Sequence, residues 1–311
     1  MKKRVLTAIG CVGLLAVLAA AGFGERKTAE EVREPESSPA SRSLFCWDSD
    51  TLSGDDLGSL CTVLDRAGVS EVYHSIPEET LLSGGADEFL SAMGDRGTAV
   101  YLLDGDAEWA WESGGESLIY RLDLILEANA ALPEEDRIRG LMADVEPYLL
   151  EDWDDEEGRA DLLDRYAQGV ETAYRYAQEN GLELLLCVPS FYDSACPELL
   201  DRIVSDGCDG IAVMNYDRTD EYGQMADEVE LAREHGKRVI CIAELQAPGR
   251  HELTEINTYY GVGLRPLLAS WEVLADRFDY SGLSFSYHYY APLLELLEDG
   301  SGLSLPESPE A

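Results

Sequence analysis

Eight short β-rich runs, each followed by a stretch with apolar residues at helical spacing, most strongly limit what this 311-residue chain can fold into. The runs are LFCWD (44–48), EVYHSIP (71–77), TAVYLLDGD (98–106), GLMADVEPY (140–148), LELLLCVPSFY (182–192), GIAVMNYD (210–217), RVICIAELQ (238–246) and GLSFSYHYY (282–290). The intervening periodicity predicts helices over 57–67, 86–93, 117–130, 159–180, 197–204, 222–235 and 266–278, with a last one after Pro292. The 159–180 segment is the clearest. Leu162, Leu163, Tyr166, Val170, Ala173, Tyr174 and Ala177 make one stripe, and Asn180-Gly181 supplies a stop. Eight βα units over residues 43–300 match the size and alternation of a (β/α)8 TIM barrel, typically about 250 residues. A doubly wound open sheet shares the alternation, because strand order is not written in a sequence.

The ends of the chain are different material. Lys2, Lys3 and Arg4 precede an uncharged run from Val5 to Phe23, so residues 1–24 read as an export signal peptide or an N-terminal membrane anchor. The expected location is extracellular or at the cell surface, with membrane contact only through this segment. Residues 25–42, charged and rich in Pro and Ser, read as a flexible linker, and 301–311 as a flexible tail. The formal charge is -39, from 62 Asp and Glu against 23 Lys and Arg. Such a field argues against a nucleic-acid partner and fits a solvated acidic surface. Seven cysteines without a C-x-x-C pair suggest neither a disulfide scaffold nor zinc, although a Cys196–Cys208 bridge is open at this stage.

A barrel places its chemistry at the carboxyl ends of its strands. The polar residues ending the runs are Trp47 and Asp48, His74, Asp104 and Asp106, Asp144, Glu146 and Tyr148, Ser190 and Tyr192, Asn215, Tyr216 and Asp217, Glu244 and Gln246, and Tyr287, His288, Tyr289 and Tyr290. Acids, aromatics and amides in this mixture suit a carbohydrate: rings stack on sugar C–H faces, and carboxylates and amides bind hydroxyls. The acidic run after Tyr148 reads as a solvated loop leading into the next helix, with Trp153 in it a candidate rim platform for sugar, as are Trp109 and Trp111. Asp144 and Glu146, two apart on a strand, share a face, and two close carboxylates cannot both ionise freely, which is how a proton donor is made near neutral pH. An isolated D-x-E equally fits a loop cap beside a solvated rim acid.

DVEPY on the fourth run and VMNYD on the sixth resemble the chitinase-type glycoside hydrolases of family 18, whose barrels carry D-x-x-D-x-D-x-E and M-x-Y-D signatures. Asp144 and Glu146 match the last two acids of the first, Met142 and Arg139 stand where the earlier two would be, and Met214, Tyr216 and Asp217 match the second. The resemblance implies Glu146 as general acid, with Asp144, Tyr216 and Asp217 orienting a substrate acetamido group that attacks its own anomeric carbon. Glu146-Pro147 and Glu244 also resemble the retaining glycosidases with acid/base on strand four and nucleophile on strand seven, although Asp144-Val145 replaces the usual preceding Asn. That implies attack by Glu244. Residues 130–295 resemble as well a set of uncharacterised bacterial exported barrel proteins with D-[IV]-E-P-Y on strand four.

The favoured expectation is an exported glycoside hydrolase acting on a polysaccharide or cell-wall glycan, with no cofactor. Its catalytic residues are Glu146, Asp144 and Glu244. Its binding residues are Trp47, Asp48, His74, Asp104, Tyr148, Tyr192, Asn215, Tyr216, Asp217, Gln246, Tyr287 and His288. A non-catalytic carbohydrate-binding barrel shares the aromatics. A metal-dependent hydrolase would use Asp48, Asp104, Asp106, Asp144 and Glu146 as oxygen ligands, but four histidines without H-x-H or H-x-x-x-H spacing supply no metal motif.

Overall fold

The computed structural model describes residues 41–251 and 253–298. The expected signal segment, the tail and nearly all of the linker lie outside the described residues. Arg42 opens the first strand, one residue before the expected domain start. No helix among the described residues is long and apolar enough to cross a membrane.

Eight parallel strands close on themselves in sequence order: β1 (Arg42–Cys46), β2 (Glu71–His74), β3 (Ala99–Asp104), β4 (Gly140–Ala143), β5 (Glu183–Pro189), β6 (Gly210–Met214), β7 (Arg238–Glu244) and β8 (Leu283–His288). Pairing of Ser43 with Ser286 and of Cys241 with Phe285 brings β8 between β7 and β1 and completes the ring. The open-sheet alternative is thereby excluded. Among the described residues ten α-helices accompany it: α1 (Gly54–Ala67), α2 (Glu78–Leu82), α3 (Asp87–Arg96), α4 (Glu116–Asn129), α5 (Glu156–Glu179), α6 (Tyr192–Ala195), α7 (Pro197–Asp206), α8 (Ala226–His235), α9 (Leu264–Phe278) and α10 (Tyr290–Glu298).

The long α5 shows why these helices form where they do. Asp155 caps it by accepting from Gly158 N at 2.8 Å, Glu156 and Glu157 sit in its positive first turn, and Leu162, Tyr166, Val170, Ala173 and Ala177 are buried against the barrel. Gly181, at φ +70°, turns the chain into β5.

Strand alternation divides the core in two. Leu44, Val72, Leu102, Leu141, Leu186, Val213 and Phe285 face the helices. Phe45, Tyr73, Tyr101, Leu103, Met142, Leu185, Cys187, Ala212, Ile240 and Ile242 fill the barrel. Within it Phe45 meets Tyr73 edge-on at 4.8 Å and Tyr73 meets Tyr101 at 5.8 Å.

An ionic plug closes the amino end of the barrel. Arg238 Nη2 donates to both oxygens of Glu71, at 2.8 and 3.0 Å, and Nη1 donates to Tyr101 OH at 3.1 Å and approaches Glu183 Oε2 at 3.4 Å. Tyr73 OH also donates to Glu71. The barrel is therefore open to chemistry at its carboxyl end.

Candidate active site

Ala143 is the last residue of β4, and the inward alternation carries on past it: Asp144 and Glu146 face the barrel mouth while Val145 is buried on the helix side. Asp144 N donates to Asp104 O at 3.0 Å, which keeps this extension in line with β3. Gly105 packs onto it so closely that a Cβ there would lie 2.0 Å from Asp144 O.

The two acids have different surroundings. Asp144 lies above Met142 and beside the Cys187 thiol, and its Oδ1 is sealed from solvent with no hydrogen-bond partner among the described residues. Burial first, and the Glu146 charge second, push its pKa up to about 6, against the pull of His288 and Cys187. Glu146 opens onto the cleft and accepts a hydrogen bond from Tyr148 OH, carried by a short 3₁₀ turn over Pro147–Leu149.

Glu244, at the end of β7, is buried and fully engaged. Its Oε1 accepts from Leu245 N at 2.8 Å and Gln246 N at 2.7 Å; its Oε2 accepts from Gln246 Nε2 at 3.2 Å and His288 Nδ1 at 2.8 Å. Burial alone would raise its pKa, but the hydrogen bond and charge of His288, with the Gln246 donors, hold it below the usual range. An ionised carboxylate only accepts, so the imidazole proton sits on Nδ1. The ring is packed between Phe45, at 5.6 Å, and Tyr216, at 5.9 Å.

β6 supplies the facing wall. Tyr216 points inward from just past Met214, and its phenol is pushed well up by burial, then by the charges of Glu244 and Asp144. Asp217 lines the same wall; Thr219 donates to its Oδ1 through N at 2.9 Å and Oγ1 at 2.6 Å and keeps its pKa low. Asn257 Nδ2 holds Tyr216 O at 2.8 Å, and Gln224 links Asp217 O at 3.0 Å to Ser190 Oγ at 3.0 Å. These residues bound a cleft of about 750 Å³. Leu149, 63% exposed, and Phe191, 40% exposed, form an apolar lip, with Phe191 braced by Tyr148 at 5.3 Å and Trp153 at 6.3 Å. Among the described residues no Lys or Arg lines the cleft.

Asp144, Glu146, Glu244, Tyr148, Tyr216, Asp217, Gln246 and His288 thus meet in one space, and seven other expected residues lie elsewhere. Four sit on the outward phase of their strands. His74 bonds to Thr51 Oγ1 at 2.8 Å and Ser75 O at 2.9 Å behind the barrel wall, and burial lowers its pKa to about 4. Asp104 pairs with Arg121 Nε at 2.9 Å. Asn215 Nδ2 donates to Glu221 O at 2.9 Å in a small gap against Trp271 and Phe285. Tyr287 OH donates to Ala67 O at 3.2 Å. Of the other three, Asp48 caps the turn beginning at Ser49 through Asp50 N at 3.0 Å, Trp47 is exposed just past β1 and does not line the cleft, and Tyr192 is buried in α6, stacked on Trp153 at 6.1 Å. Ser190, Phe191, Leu149, Gln224, His251, Leu253 and Asn257 line the cleft without having been expected to bind, although Ser190 ends a β run.

The acids of the metal alternative are dispersed: Asp48 and Asp106 cap turns, Asp104 pairs with Arg121, and no cluster of three or more His, Cys, Asp or Glu able to hold a metal ion occurs among the described residues. Cys196 and Cys208 are buried free thiols.

No protein-family model matches the chain, and no curated protein matches it. Solved structures do. The chitinase of Chromobacterium violaceum ATCC 12472 is 11% identical over 85% of this chain and 99% of its own, with a TM-score of 0.45. The spore cortex-lytic enzyme SleL of Bacillus megaterium QM B1551 is 12% identical over 86% and 75%, at 0.48. A Toxoplasma gondii ME49 protein assigned as a deoxyribose-phosphate aldolase is 10% identical over 83% and 92%, at 0.51. At these identities the likeness concerns the barrel and not the reaction.

Proposed function

We propose that this chain is a glycoside hydrolase in which Glu146 is the general acid, the glycosidic bond lies across the β4–β7 cleft, and the substrate's own C2-acetamido group is the nucleophile. The observation that carries this reading is the unequal pair at the end of β4. Asp144, sealed on the cleft floor, retains its proton up to about pH 6, and Glu146 two residues on is open to the guest. In the first step Glu146 gives its proton to the glycosidic oxygen, the C1–O bond breaks, and the acetamido oxygen closes onto C1. Glu146 then takes a proton from a water that adds to C1, which reopens the ring and restores both sugar and acid. The orphaned Asp144 Oδ1 is an acceptor for the acetamido N–H, and the Tyr216 phenol a donor to its carbonyl.

Glu244 suits a protein nucleophile less well. Its four acceptor positions are taken, so attack on C1 would first break either the two backbone hydrogen bonds at Oε1 or the Gln246 and His288 contacts at Oε2. Its arrangement supports a positioning role for His288 and Gln246. Residues 1–24 carry the further proposal that the enzyme works outside the cytoplasm.

The test is release of reducing ends from two oligomers of equal length, one of β-linked N-acetylhexosamine and one with hydroxyl at C2. Cleavage of the first alone is expected; cleavage of the second at equal rate removes substrate assistance, and cleavage of neither removes this assignment.

A further inference from the structure

The loop from β7 to α9 and the start of α10 enclose a second, smaller pocket of about 210 Å³ beside the cleft, walled by Gln246, Arg250, Tyr260, Tyr289, Pro292 and Glu295. At ~30 Å³ per water it holds the volume of roughly seven waters, close to one sugar ring. Gln246 lines both spaces, and its Nε2 is the group that donates to Glu244 Oε2 at 3.2 Å. A guest in the smaller pocket therefore touches a side chain fastened to the buried carboxylate of the cleft.

The chemistry of the pocket differs from that of the cleft. Among the described residues Arg250 is the only Lys or Arg lining either space, and its guanidinium makes no hydrogen bond or ion pair with them. Glu295 faces the same pocket and meets Tyr260 OH at 3.5 Å, not Arg250. Two opposite charges that share so small a space without closing on each other leave donors and acceptors for a guest. A sugar hydroxyl can accept from the guanidinium while its neighbour donates to the carboxylate. Tyr260, Tyr289 and Pro292 offer apolar surface to ring C–H groups. An acidic sugar would meet Glu295 and a chain of charge -39.

We propose that this pocket is a second sugar subsite, which binds a neutral hexopyranose unit of the same glycan beyond the bond held at Glu146. The substrate is then a chain and not a disaccharide, and this extension rests on the hydrolase reading for its connection to turnover.

Binding to Glu146→Gln protein tests the subsite without turnover. Calorimetric titration with a neutral N-acetylhexosamine dimer and hexamer should give a clear advantage to the hexamer. Adding Arg250→Ala or Tyr260→Ala should remove about tenfold of that advantage, the scale of one or two hydrogen bonds to a charged group. Both side chains are exposed, so thermal melts should confirm that the variants fold as the parent does. An unchanged hexamer-to-dimer ratio overturns the subsite, as does tighter binding of a uronic-acid hexamer than of the neutral one. Should Glu146→Gln protein still cleave glycan, the acid assignment falls, while the ratio continues to report on the pocket.

Discussion

Asp144 and Glu146 stand two residues apart on one inward face of the cleft with unequal surroundings: Asp144 Oδ1 is sealed from solvent without a partner, while Glu146 meets Tyr148 OH at the cleft wall. A carboxyl group that cannot be solvated and lies beside another acid retains its proton. The proposed chemistry follows from that inequality more than from the presence of two acids.

It sets a pH dependence of stability. Asp144 has a folded pKa of about 6 against an ordinary value of 3.8, so the folded state binds its proton more tightly than the unfolded chain does. Its contribution is complete below about pH 4 and is lost as pH rises through about 6, by up to ~3 kcal/mol for two pKa units. Asp144→Asn removes this dependence. Urea unfolding of the two proteins at pH 4.5 and pH 7.5 should show the variant gaining about 2 kcal/mol relative to the parent at the higher pH; parallel pH profiles would mean that Asp144 ionises freely.

Glu244→Ala should lower kcat by about a hundredfold, the scale of a displaced active-site group, because His288 and Gln246 lose the acceptor that fixes them. Azide should not restore turnover. Rescue with formation of a glycosyl azide would identify Glu244 as the nucleophile.

Arg238→Met leaves the Glu71 carboxylate at the amino end of the barrel without its cation. Loss of one partner of a buried pair costs about 3 to 5 kcal/mol. Replacing Glu71 by Gln in the same chain should recover part of it, because no unpaired charge then remains. A loss under about 1 kcal/mol would place the pair among weak surface bridges.

Gly105→Ala drives a methyl group into the Asp144 backbone. Relief of that overlap should cost about 1 to 3 kcal/mol and displace the β4 extension, so activity should drop more than the melting temperature indicates. Unchanged kinetics would show that the β4 end tolerates the shift.

The barrel was legible because strand and helix periodicities alternate eight times, and Asp144 with Glu146 because side chains two apart on a strand share a face. Carrying the same phase to the other strands explains the residues that fall elsewhere. Leu103 fills the barrel, so Asp104 turns out; Tyr73 fills it, so His74 turns out; Met214 and Tyr216 point in, so Asn215 points out; Tyr287 is one step from inward His288. Anchoring each strand by its interior apolar residue would have removed these four. Tyr192 is different, since it belongs to a helix that starts at the strand end and packs beneath Trp153. The lip residues Leu149 and Phe191, and the wall residues His251, Leu253 and Asn257, occupy loops whose paths depend on distant packing and leave no periodic signal.

The most direct measurement compares hydrolysis of an N-acetylhexosamine oligomer by the parent and by Glu146→Gln, with binding of the same oligomer measured alongside. The account predicts turnover reduced by about a thousandfold, within the usual range for loss of one acid–base group, with affinity retained. Turnover within about tenfold of the parent would contradict it.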